Sequence, residues 1–214
     1  MIEIATDNAD AVRRIRDRLV DDVGFLLGAS RSAQKTPNWA LARSMWPIAE
    51  SLGFLLYGGP LEGQTSPRLS RFIREELGSR NPEYAKIASV ICQVWRHGLT
   101  HSDEPPFLVI DAPIGATGRD WINARAMSWK LVLWAPRHHL AITSFGTQSA
   151  QFTFCLDQFY EDLLAVVNDQ PRWAGFQPDA VKNRYNEWCA KFIDNPSAGS
   201  EKALAAQEIR TVLP

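Results

Sequence analysis

Three side chains with chemical potential arrive together in the run Arg96-His97-Gly98-Leu99-Thr100-His101. An arginine fork holds two oxygens of a phosphate and offsets negative charge that builds as the phosphate reacts. An imidazole moves protons near neutral pH. Side by side, the two suit metal-free cleavage of RNA, in which the 2′-hydroxyl attacks the neighbouring phosphate. That step needs a base, an acid and charge stabilisation. One Arg/His set supplies about half of this, and two sets meeting across a twofold dimer supply all of it.

Such residues need a rigid support, and the sequence before them supplies one. Asn81 is a good N-cap, Pro82 suits the first helical position, and Glu83 puts a negative charge in the first turn. Ile87, Val90, Ile91, Val94 and Trp95 recur at helical spacing, with Ala88 and Cys92 as small fillers. The spacing predicts a core helix with one wide apolar stripe, ended by the Gly98-Leu99 step. The partial negative charge at its end favours a protonated imidazole. His97 and His101, four apart, share a face. Arg96 and His101, five apart, share one only where the helix tightens or unwinds after Gly98.

Arg96-His97-x3-His101 resembles the Arg-polar-x3-His motif of the HEPN superfamily, in which the polar position is usually Asn, Asp or His. The resemblance covers the motif and the helices before it, about residues 7–101. It implies an all-helical bundle with the motif at the end of a core helix. It also implies a metal-independent endoribonuclease of the kind found in toxin–antitoxin, abortive-infection and CRISPR-associated systems, commonly dimeric with two motifs lining one cleft. Carried over, Arg96 and His101 are the catalytic pair and His97 the supporting polar residue. Other members have lost activity and serve as binding or scaffold modules.

The remaining elements follow from periodicity. Asp7 or Asn8 caps a first helix to about Leu27, with Val12, Ile15, Leu19, Val23 and Leu26 on one face and mixed charges on the other. Residues 28–37 are small, polar and loop-like. A bulky second helix runs from Asn38 to about Leu56, with Pro47 kinking or splitting it. A glycine-rich loop from Tyr57 leads to a short helix from Ser66-Pro67 to about Leu77, stopped by Gly78. Arg68, Arg71 and Arg74 recur there at steps of three, the most one-sided basic patch in the chain and a candidate substrate-binding set.

After His101 the pattern changes. Phe107–Ile110 fits a short buried strand, and Ser128–Trp134 and Leu140–Phe145 fit a hairpin joined by Ala135-Pro136-Arg137-His138-His139. Phe152 and Phe154 alternate with polar residues and extend the sheet. Helical spacing returns at Leu156–Val167 and again from about Asp179 to Ile193, with prolines in the loop between. The fold class expected is α+β: a mainly helical, HEPN-like bundle with a small antiparallel β-sheet inserted before the last two helices. One domain spans 1–195, with a helical core at 7–101, the β insertion at 106–155, C-terminal helices at 156–195 and a flexible tail at 196–214.

Composition narrows the function. The net charge of −1 gives no global basic field, so contact with nucleic acid must be local. The three cysteines, Cys92, Cys155 and Cys189, lie far apart in apolar segments and read as buried free thiols. The polar start MIEIATDNAD does not read as a signal peptide, and no apolar run approaches the ~18 residues that span a bilayer, so a cytoplasmic location is expected. The leading expectation is an endoribonuclease that needs no cofactor, with RNA as substrate, a second copy as dimer partner, and an antitoxin or other protein partner. One alternative is a non-catalytic interaction module of the same fold. Another is a mononuclear metal site in which His97 and His101, an i, i+4 pair that chelates well, are joined by a third imidazole from the hairpin loop, His138 or His139, and by Asp103 or Glu104.

Overall fold

The computed structural model describes residues 4–33, 38–59, 65–92, 108–109, 126–145 and 149–190. Asp7 caps α1 (Asn8–Arg18), its carboxylate accepting from the Asp10 amide. A π-helical turn, Leu19–Gly24, passes the chain without a break into α2 (Phe25–Ala33). The π turn is wider than an α turn, and the buried stripe emerges at Leu27 rather than Leu26. Residues 28–33 of the expected loop are therefore helical, and 34–37 lie outside the described residues. Ser30 is buried with its hydroxyl on the Leu26 carbonyl, and the Arg31 guanidinium lies 4.5 Å from the Trp134 ring centroid. These contacts hold small polar residues in a helix they would not favour alone.

The most deeply buried helix is α3 (Asn38–Tyr57), not the one that starts at Asn81. From Leu41 to Leu56 all but Arg43, Ser44, Pro47 and Glu50 are buried. The helix runs through Pro47, and that residue and Arg43 both face solvent. Gly53 lets α4 (Thr65–Phe72) come close: a methyl group there would meet the Arg68 carbonyl and Phe72 Cβ at 3.4 Å. Gly58, at φ +63°, ends α3 and donates back to the Phe54 carbonyl at 2.8 Å. A second π-helical turn, Ile73–Leu77, ends at Gly78, and α5 (Pro82–Val90) begins as expected, with Asn81 accepting from the Glu83 amide. Its buried face is Tyr84, Ala88, Ile91 and Cys92, whereas Ile87 and Val90 are only half-buried.

Four strands form one mixed sheet in the order β1-β2-β4-β3: β1 (Leu108–Val109), β2 (Ala126–Val132), β3 (Ala141–Phe145) and β4 (Ser149–Cys155). Two expectations are corrected here. The sheet is not antiparallel throughout, because β2 pairs parallel with β4, Trp129 opposite Phe152. Nor do β2 and β3 form a hairpin, because β4 lies between them and pairs antiparallel with β3, Ile142 opposite Phe152. The reason lies in the joining loop. Trp134 and Leu140 both take positive φ, 59° and 62°, and between them the chain crosses the end of β4. There His139 turns inward, and its Nδ1 accepts the Cys155 amide proton at 3.0 Å. The chain is thus tied over the last residue of β4 and starts β3 on the far side.

The same imidazole joins sheet to helices. β4 runs directly into α6 (Leu156–Val167), which presents Asp162. Since Nδ1 of His139 is an acceptor, the neutral ring carries its proton on Nε2 and donates it to the Tyr84 hydroxyl, 2.7 Å away. Tyr84 in turn donates to Asp162 Oδ2 at 2.8 Å, and Gln158 donates to Oδ1 at 3.0 Å. Phe154, Phe159 and Trp46 pack around this chain, with Phe154 and Phe159 centroids 5.1 Å apart and Trp46 5.1 Å from Phe159. A short α7 (Gln170–Ala174), absent from the sequence expectation, follows α6, and α8 (Ala180–Ala190) packs against α1 and α3. Asn8 caps α8 by accepting the Val181 and Lys182 amides, both at 3.0 Å. Residues 191–214, which include the expected tail, lie outside the described residues, and none of the described helices is long and apolar enough to cross a membrane.

Tyr84→Phe leaves two buried polar groups without a partner and is expected to cost about 3 kcal/mol in urea unfolding. The matched change Tyr57→Phe, which removes a half-buried bond to Glu76, is expected to cost less than about 1 kcal/mol.

Candidate functional site

The site expected from the sequence hangs on the far end of α5. α4 and α5 run antiparallel across the turn at 78–81, and the Cys92 thiol donates to the Ser66 carbonyl at 3.2 Å. The last described turn of α5 therefore lies beside the start of α4, close in sequence to Arg68. Arg96, His97 and His101 follow in the chain and lie outside the described residues, as do Asp103 and Glu104.

Arg68, Arg71 and Arg74 are described, and they do not form one exposed basic face. Arg68 is buried, 7% exposed. Its guanidinium lies 4.8 Å from the Phe54 ring centroid and donates to the Gly58 carbonyl at 3.3 Å. Burial lowers its pKa, and the nearby carboxylates of Glu187 and Glu50 act the other way. Arg184 of α8 donates to the Leu55 and Leu56 carbonyls at 2.6 and 3.0 Å. Two cations from different helices thus meet carbonyls at the C-terminal end of α3 and just beyond it, and complement its dipole. Arg71 is exposed, but its Nε donates to both Glu75 oxygens at 3.0 and 3.1 Å, and its guanidinium covers the Tyr57 ring at 4.1 Å. Arg74 is exposed and makes no ion pair with a described residue.

Sequence reading missed the Tyr84–His139–Asp162 chain, a buried cluster of titratable groups. Its composition is that of an acid–base relay. Yet Tyr84 is 0% exposed, His139 8% and Asp162 9%, and each ring nitrogen and oxygen already has a partner. Burial pushes the Tyr84 hydroxyl well above its ordinary range, with Asp162 adding to it. Burial raises Asp162 against the hydrogen bonds from Tyr84 and Gln158, and lowers His139 to about 4. Cys155 is raised to about 11 by burial and by its contact with Asp157, so its thiol is not an activated nucleophile. These groups hold the fold together. The one signal in the sequence was Tyr84, four residues before Ala88 on the buried face of α5.

The metal alternative loses a ligand here. Neither nitrogen of His139 is open to a metal, its neighbour His138 is exposed, and no group of three or more potential ligands occurs among the described residues. Comparison with protein-family models, curated proteins and solved structures found no match.

Two tests follow. Arg68→Ala is expected to lower stability by about 2–3 kcal/mol through lost packing and orphaned carbonyls, while Arg74→Ala stays within about 0.5 kcal/mol, both read by chemical unfolding. His139 is held neutral below its ordinary value of 6.5, so the unfolded chain takes up a proton that the folded chain refuses. Stability should therefore fall as pH drops from 6.5 towards 4, by up to about 3 kcal/mol from this group. Asp162, raised by burial, gains its proton early and opposes the fall near the acid end. Unfolding midpoints across this range should drop less steeply in His139→Gln than in the parent; equal slopes would count against a neutral buried imidazole.

Proposed function

We propose that this chain is a HEPN-like endoribonuclease that acts as a homodimer through Arg96 and His101, with His97 in support. The observation that carries the reading is the helix from Asn81. Its cap, its buried face and its antiparallel neighbour are those of a bundle helix, and the Arg-His-x3-His run follows four residues beyond its described end. In this reading Arg96 grips the phosphodiester and offsets charge as the 2′-oxygen bonds to phosphorus. The bond to the 5′-oxygen breaks, leaving a cyclic phosphate and a free 5′-hydroxyl. His101 handles the proton in one motif, and the second copy supplies its complement. A toxin–antitoxin or phage-defence setting, with an antitoxin as protein partner, fits such an enzyme.

A non-catalytic interaction module is the second reading. Arg68 and Arg71, two of the three arginines proposed to hold substrate, are committed to contacts within the chain, and the net charge is −1. RNA enzymes ordinarily carry a stronger basic footprint.

Labelled single-stranded RNA incubated with the protein in chelator should be cut to cyclic-phosphate ends. His101→Ala and Arg96→Ala should each slow this by about a thousandfold while leaving the unfolding midpoint unchanged. Undiminished cutting by His101→Ala would remove the catalytic assignment, and a parent protein that binds partners without cutting RNA would establish the second reading.

A further inference from the structure

A cleft of about 480 Å³ lies between α1, the end of α6 and α7. That volume is in the range of small-molecule sites. Its floor is apolar: Val12, Val167, Trp173 and Phe176. The Trp173 and Phe176 rings stack with centroids 6.0 Å apart and planes 29° from parallel, forming one aromatic wall. The indole N–H of Trp173 is satisfied within the protein, on the Val166 carbonyl at 3.0 Å, so this wall asks for no hydrogen bond from a ligand.

Polar groups stand at the rim: Gln170 on the α7 side, and on the other side α1 brings Arg13 and Arg16 over the cleft. Arg13 is bound to Asp10 and Asp17. Arg16 is held differently: its Nε donates to the neutral amide oxygen of Asn168 at 3.2 Å. Its nearest carboxylate, Asp17, is 3.7 Å away and already shared with Arg13. The other acidic groups close by are engaged as well. Asp10 grips Arg14, and Asp169 binds Arg80 and the Arg172 amide. The guanidinium of Arg184 lies 5.6 Å from the Phe176 ring centroid and adds positive potential at the aromatic wall, whereas that of Arg172, 5.9 Å away, is paired with Glu76 at 2.7 Å. A cation finds no open carboxylate in this setting, whereas an anion finds Arg16.

We propose that this cleft binds a small amphiphilic monoanion, with a flat apolar body against Trp173 and Phe176 and one acidic group on Arg16. The chemical class is that of aromatic carboxylic and sulfonic acids. The inference is independent of the RNA reading, since it uses neither α5 nor the Arg96–His101 run.

The probe is anilinonaphthalenesulfonate, with N-phenylnaphthylamine as its uncharged counterpart, titrated against the native full chain and followed by fluorescence and calorimetry. One sulfonate probe should bind per chain. Arg16→Gln should weaken it by about tenfold while changing the uncharged probe by less than about twofold. Ala9→Phe and Ala174→Phe introduce bulk at two exposed positions that line the cleft, and each should abolish binding of both probes. Circular dichroism and unfolding midpoints should confirm that these variants remain folded. Failure of the parent protein to bind the sulfonate would overturn the proposal, as would binding that survives both phenylalanine variants, or an Arg16→Gln change that affects the two probes alike.

Discussion

The fold depends on one buried imidazole being satisfied on both sides. His139 receives the Cys155 amide at Nδ1 and gives its own proton to Tyr84, which passes a hydrogen bond on to Asp162. Four elements meet there: the loop between β2 and β3, the end of β4, the helix α5, and the helix α6. A buried polar group without a partner costs about 1–3 kcal/mol, so the arrangement is strongly favoured only when all its members are in place. That makes it a device for specifying geometry as much as for adding stability. It selects the crossing of β4 that puts β3 on the outer edge of the sheet.

Around this chain the core is layered. α3 is surrounded by α4, α6 and α8, and its aromatic Trp46 reaches Phe159 and Phe154, where the sheet meets the helices. Carbonyls at the C-terminal end of this helix accept from donors elsewhere in the protein. Arg68 and Arg184 supply them from two directions. An arginine on a short helix can thus belong to the core of a neighbouring helix. Charge spacing along one helix does not report which cations face solvent.

The chemistry divides in the same way. The titratable cluster among the described residues is closed, with its histidine held neutral and its thiol neighbour protonated, and it serves architecture. The groups proposed for reaction belong to the segment after α5. The cleft at α1 and α7 is a third environment, where apolar walls and a loosely balanced arginine offer recognition without a reactive group.

The sequence by itself determined the helices and their approximate boundaries wherever local chemistry decides them: a cap at Asp7 or Asn8, the Asn81 cap, the glycine-rich end after Tyr57, the Gly78 stop, the helical period of Leu156–Val167, and the approximate strand positions. It also showed the Arg96-His97-x3-His101 spacing on which the functional reading rests. Only the tertiary structure decided strand order, the burial of Arg68, the extension of the first helical stretch to Ala33, and the partnership of Tyr84, His139 and Asp162. The adjacent His138 and His139 could not be told apart in sequence, yet one is exposed and the other is the hinge of the sheet. The physical reason is the range of the forces involved: caps, stops and periodicity act within a turn or two of chain, whereas a buried hydrogen bond is worth making only once distant segments have together excluded water from it.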